Sequence, residues 1–132
     1  MYLSLTAAAA APFYVSVVTS AAPIRLSGMS GFFPGISGKK KAFYDSVEYQ
    51  EVLRKRIFSV LDTAEHFGHK NLVLGAFGCG AFANDPYQVA GLFKECLAFY
   101  EFEQVRFAVL ASGETGRRNL EAFQSVFQRQ KI

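Results

Sequence analysis

The residues of this chain best suited to chemistry lie in one run, Gly75-Ala-Phe-Gly-Cys-Gly-Ala-Phe-Ala-Asn-Asp-Pro86. Gly75, Gly78 and Gly80 each permit positive φ or close backbone approach, so consecutive N–H groups can curl toward one point and hold an anion. Asp85 reads as a helix N-cap, Pro86 as the first helical residue and Gln88 as the return partner of a capping box. A helix start there adds its positive end to the same spot, which makes a phosphate the fitting occupant. Phe77 and Phe82 flank the glycines, where an aromatic ring can lie against a ribose or a base. The alternative is a tight strand-to-helix turn whose phenylalanines enter the core. Short glycine motifs recur too widely for spacing alone to decide between the two.

Other groups offer less. Cys79 stands beside the expected helix start, where a thiol can be activated, but no histidine lies near it in sequence to serve as a base. His66 and His69 are three apart, yet Gly68 between them should end a helix, and no carboxylate pattern completes a metal site. No metal and no cofactor are expected. The first acidic residue is Asp45, so nothing before it can act as a general acid.

The elements that must position the loop follow from hydropathy. Asn71-Leu-Val-Leu-Gly-Ala76 is a short apolar run of the length and branching of a buried strand, as are Phe13 to Thr19 and Val105 to Leu110. From Asp45 the pattern turns helical. Asp45 with Glu48 forms a second candidate capping box, and Leu53, Ile57, Leu61, Ala64 and Phe67 make one apolar stripe that Gly68 terminates. A second helix buries Val89, Phe93, Cys96, Leu97 and Tyr100, and a third buries Leu120, Phe123 and Phe127. The order strand, helix, strand, helix, strand, helix predicts an α/β fold with a parallel sheet and right-handed crossovers. Ligands gather at the carboxyl ends of such strands, where the Gly75 loop must lie. The segment Ala111-Ser-Gly-Glu-Thr-Gly116 falls on the same edge and is a second, weaker candidate for ligand contact.

Composition bounds the rest. The chain has 132 residues, 51% of them hydrophobic, which suits a single domain with a sizeable core. Fourteen Lys and Arg against eleven Asp and Glu leave a net charge of +3, too little for a nucleic-acid surface, so no direct DNA binding is expected. Lys39 to Lys41 reads as a solvated run. Residues 1–12 read as an apolar, alanine-rich arm, and residues 24–44, with their glycines, serines and Pro34, as a flexible loop. The start carries no basic residues ahead of its apolar run, and Pro12, Ser16 and Thr19 spoil a membrane span. Two cysteines without metal spacing or a disulfide framework point to a cytoplasmic protein.

The run Gly-Cys-Gly-Ala-Phe82 followed by Asn84-Asp-Pro86 resembles the signature of microbial-type poly(ADP-ribose) glycohydrolases, whose catalytic domain is a macrodomain. Residues Pro12 to Pro23 are similar to the family's preceding strand, Val105 to Leu110 to its following strand, and Asn119 to Phe127 to its last helix. The resemblance implies a three-layer macrodomain-like α/β fold with a mainly parallel sheet, represented here by a C-terminal portion lacking the N-terminal elements. It implies recognition of ADP-ribose or poly(ADP-ribose) through Gly75, Ala76, Phe77, Gly78, Cys79, Gly80, Ala81 and Phe82. Phe82 would then lie against the ribose next to the scissile bond, the glycines would hold the diphosphate, and Cys79 would be a small residue shaping the loop. Asn84 and Asp85 read as supports of the loop and helix start. The family's reaction is hydrolysis of the ribosyl–ribose O-glycosidic bond. Its paired glutamates precede the strand that matches Phe13 to Thr19, and this chain carries no such loop in that place, so no catalytic residue is assigned.

Two other classes stay open. A hydrolase could use an acid outside the family pattern, such as Glu114 or Asp85. A non-catalytic interaction fragment would bind no nucleotide. A three-stranded sheet would also leave an unpaired edge, which a homo-oligomer, an exchanged segment or a partner chain could cover.

Overall fold

The structure, a computed structural model, describes residues 12–25 and 46–128. The arm of residues 1–11, most of the 24–44 loop, Lys39 to Lys41 and Asp45 lie outside the described residues.

Five elements follow one another: α1 (Val47–His66), β1 (Asn71–Leu74), α2 (Pro86–Leu97), β2 (Gln104–Phe107) and α3 (Gly113–Phe127). Helix α1 is held by the predicted stripe, with Leu53, Ile57 and Leu61 fully buried and Ala64 nearly so. Tyr49 extends the stripe one turn toward the N-terminus and is also buried. Phe67 departs from it. The helix ends at His66, so Phe67 becomes the C-cap, turns outward and is 70% exposed. The N-cap is Ser46 rather than the expected Asp45, because the Ser46 hydroxyl accepts from the Tyr49 N–H at 3.3 Å.

Strands β1 and β2 pair in parallel, in register from Asn71 opposite Gln104 to Leu74 opposite Phe107. Leu72, Leu74 and Phe107 pack against a core built from α1, α2 and α3, centred on Val89, Phe93, Cys96 and Phe123. The Phe107 ring meets Phe93 edge-on at 5.2 Å and Phe123 at 5.0 Å. The alternate residues Asn71, Val73, Gln104 and Arg106 are exposed. Of the three layers expected, the described residues therefore build two.

The segment 13–19 corrects a prediction. It was expected to be a buried strand, but no strand is assigned to it and every one of its residues is exposed, Tyr14 completely. The physical reason is separation: a cleft lies between this segment and β1, so its main chain reaches no ladder partner among the described residues. Only its end is anchored. Ala22 is buried against the Gly75 loop, and the Arg25 N–H donates to the Phe82 carbonyl at 2.8 Å.

Candidate functional site

The loop between β1 and α2 sits at the carboxyl end of the sheet, where the strand directs it and the helix start receives it. Asp85 caps α2 by accepting from the Tyr87 N–H at 3.0 Å, with Pro86 in the first turn. The return half of the expected capping box is absent, since the buried Gln88 Oε1 has no partner among the described residues.

Within the loop, the Cys79 N–H donates to Ala76 O, Ala83 N–H to Gly80 O and Asn84 N–H to Gly78 O, all at 2.9–3.0 Å. These turn bonds leave the N–H groups of Gly78, Gly80, Ala81 and Phe82 without a protein acceptor among the described residues. Of the three glycines expected to need special freedom, Gly78 alone has positive φ, at 71°; Ala83, with φ 55°, supplies the second left-handed turn. A Cβ on Gly80 would enter open space, so that face of the loop is accessible.

The loop is fixed from behind by Asn84, which is 3% exposed. Its Oδ1 accepts from the Tyr49 hydroxyl at 2.6 Å, and its Nδ2 donates to Pro23 O at 2.8 Å and Gly78 O at 3.0 Å. One amide thus joins α1, the anchored end of segment 12–25 and the glycine turn. A second amide, Asn119 on α3, is 8% exposed and donates to Cys79 O at 3.2 Å. Its role was not read from the sequence, although a polar residue on the buried face of an apolar stripe was the signal available. Arg118 stands beside it, 3.6 Å from the Asp85 carboxylate. Gly116 lets the first turn of α3 lie against the chain that leads into it, because a Cβ there would come within 2.5 Å of Leu110 O.

The predicted ligand-facing side chains divide. Phe77 packs against the core, as the plain-turn reading required, whereas Phe82 is half-buried and stands apart from it. Gly75, Gly80 and Ala81 are exposed. Cys79 is 3% exposed, and burial, reinforced by the Asp85 charge, pushes its pKa up to about 12. It is a neutral thiol at physiological pH, not an activated nucleophile. Burial also raises Cys96, to about 11. Folding thus holds both protons on. The stability this contributes is complete below the ordinary thiol value of 9.0 and is lost as pH rises toward about 11 and 12. Thermal unfolding followed from about pH 8 to about pH 11 should show a falling midpoint whose slope is smaller in Cys79→Ala. An unchanged slope would contradict this account of the thiol. Glu114, the alternative acid, is exposed in the first turn of α3, and Asp85 is engaged as a cap.

No protein-family model matches the chain, and no curated protein matches it. Solved structures do. The chain is similar to poly(ADP-ribose) glycohydrolase from Deinococcus radiodurans in complex with ADP-ribose, with 38% identity and a TM-score of 0.56 over 67% of this chain and 38% of that one. It is similar to the Thermomonospora curvata enzyme at 43% identity and a TM-score of 0.55, over 62% of this chain and 32% of that one. The same enzyme bound to the inhibitor ADP-HPD gives 44% identity and a TM-score of 0.55, over 62% and 33% of the respective chains. The fold is that of part of a bacterial-type poly(ADP-ribose) glycohydrolase, and the chain spans between 32% and 38% of the length of these structures. No helix among the described residues is long and apolar enough to cross a membrane.

Proposed function

We propose that this chain recognises ADP-ribose, or the ADP-ribose units of the polymer, through the loop from Gly75 to Phe82. The observation that carries the reading is that the N–H groups of Gly78, Gly80, Ala81 and Phe82, in a loop at the carboxyl edge of a parallel sheet beside a helix start, have no acceptor among the described residues. The diphosphate accepts from these donors, and Phe82, free of the core, lies along the adjoining ribose. Asn84 and Asn119 position the loop, and Asp85 caps the helix behind it. The similar structures from D. radiodurans in complex with ADP-ribose support the choice of ligand. The glycohydrolase reaction of the family needs a carboxylic acid at the ribosyl oxygen. We assign that group to no residue of this chain, so the isolated chain is expected to bind without turnover.

Calorimetric titration with ADP-ribose, with AMP as control, tests this. Binding selective for ADP-ribose with a micromolar Kd, about −8 kcal/mol, is expected. Phe82→Ala should raise that Kd at least about tenfold while the chain still folds cooperatively, because the ring, partly buried, is not among those packed against the core cluster. Absence of heat up to millimolar ADP-ribose would defeat the proposal, as would polymer hydrolysis by the isolated chain defeat the assignment of no catalytic acid.

A further inference from the structure

In a trans peptide the N–H and the C=O point in opposite directions across one rigid plane, so whatever holds a carbonyl also aims the N–H of the next residue. Three of the loop's N–H groups are aimed in this way. Ala81 N–H shares its plane with Gly80 O, which accepts from Ala83 N–H at 2.9 Å. Gly78 N–H shares its plane with Phe77 O, which accepts from the Cys79 thiol at 3.6 Å. Gly80 N–H shares its plane with Cys79 O, and that carbonyl accepts from Asn119 Nδ2 at 3.2 Å. The first two anchors come from within the loop. The third comes from α3, 40 residues further along the chain.

The Cys79–Gly80 peptide needs such a hold. Turning a peptide over changes φ of the residue that follows it, and a glycine takes positive φ about as readily as negative. Gly80 now stands outside the left-handed region, is exposed, and an added Cβ would meet nothing within 4 Å, so no packing on Gly80 opposes the rotation. Turned over, the same plane would put Cys79 O where Gly80 N–H now points and set a carbonyl oxygen against an anion. Asn119 opposes this because its side chain has no other partner among the described residues. It is 8% exposed and lies on the face of α3 that carries the buried Gly116, Ala122 and Phe123. Loss of Cys79 O as acceptor would leave its N–H buried and unpaired.

We infer that Asn119 is a positioning residue for the ligand loop, its amide holding the Cys79–Gly80 peptide so that Gly80 N–H turns away from α3 and can donate to a diphosphate. For the ligand this rests on the nucleotide reading above, and for the orientation of the peptide on the hydrogen bond itself. Asn119→Asp removes the donor and sets a carboxylate against Cys79 O, whereas Asn119→Leu removes it with an apolar side chain of similar size. Either change releases the plane.

The test is run on the full chain and on both variants. Asn119→Leu suits an apolar helix face and is expected to unfold cooperatively, so a poorly folded Asn119→Asp would not end the experiment. The Gly80 amide is followed by proton–nitrogen correlation spectroscopy, and its three-bond couplings to the α protons report φ. These couplings should change in the variants while those of Gly68, beyond the end of α1, do not. The ADP-ribose Kd from calorimetry should rise at least about tenfold. A lowered thermal midpoint with Gly80 couplings and Kd unchanged would show that Asn119 merely docks α3, and would overturn the inference. Unchanged couplings overturn it whatever the Kd does, and so do changed couplings with an unchanged Kd. Failure of the wild-type chain to bind ADP-ribose defeats the nucleotide reading by itself, and the Gly80 couplings then still decide whether Asn119 sets the peptide.

Discussion

Asn84→Ala is expected to destabilise the chain by about 3 kcal/mol, lowering its thermal midpoint by roughly 10 °C. The estimate follows from three side-chain hydrogen bonds, to Tyr49, Pro23 and Gly78, each worth about 1 kcal/mol in a buried setting. Truncation also leaves the Tyr49 hydroxyl without its 2.6 Å acceptor, and Tyr49 is 3% exposed. Asn84→Asp should be no milder. It keeps an acceptor for Tyr49 but sets a carboxylate against the carbonyls of Pro23 and Gly78, which need donors. Thermal denaturation of the two variants checks this, and a loss below about 1 kcal/mol in both would show that the amide is not what ties α1, segment 12–25 and the loop together. A reduced midpoint with unchanged ADP-ribose affinity would separate its role in folding from any role in binding.

The way Asn84 acts explains what could be read from the sequence and what could not. Features set by neighbours in the chain were legible: the Asp85–Pro86 start of α2, the end of α1 before Gly68, the apolar stripe of Leu53, Ile57 and Leu61, and the placement of the glycine run between a strand and a helix. Details that hinge on one residue shifted by a position or lost a partner, as when Ser46 capped α1 and Gln88 failed to close its box. Contacts between distant segments were not legible. Tyr49 and Asn119 reach the loop across 35 and 40 residues of sequence, and no local pattern specifies such a meeting. The stretch 13–19 shows the same limit from the other side. Its composition is that of a strand, but a strand is defined by pairing, and a cleft separates it from β1.

Gly78 and Gly80 should respond to the same substitution in opposite ways, which makes them the sharpest probe of the loop. At Gly78 an added Cβ would lie 2.4 Å from the Ala22 Cβ and 2.5 Å from Asn84 Nδ2, on a backbone with φ 71°. An L-residue there bears about 1 kcal/mol of left-handed strain, and displacing Ala22 and Asn84 adds overpacking of about 2 kcal/mol. Gly78→Ala is therefore expected to lose about 3 kcal/mol of stability and to release the anchored end of segment 12–25. At Gly80 a Cβ meets nothing within 4 Å, so Gly80→Ala should unfold at the wild-type midpoint. Its methyl group would nonetheless occupy open space over the loop whose N–H groups at Gly78, Ala81 and Phe82 have no acceptor among the described residues. If an anion approaches there, ADP-ribose affinity should fall about tenfold or more in Gly80→Ala with stability unchanged. Retained affinity in that variant would move the ligand off this face of the loop, and a stable Gly78→Ala would remove the close packing against Ala22 as the reason for a glycine at that position.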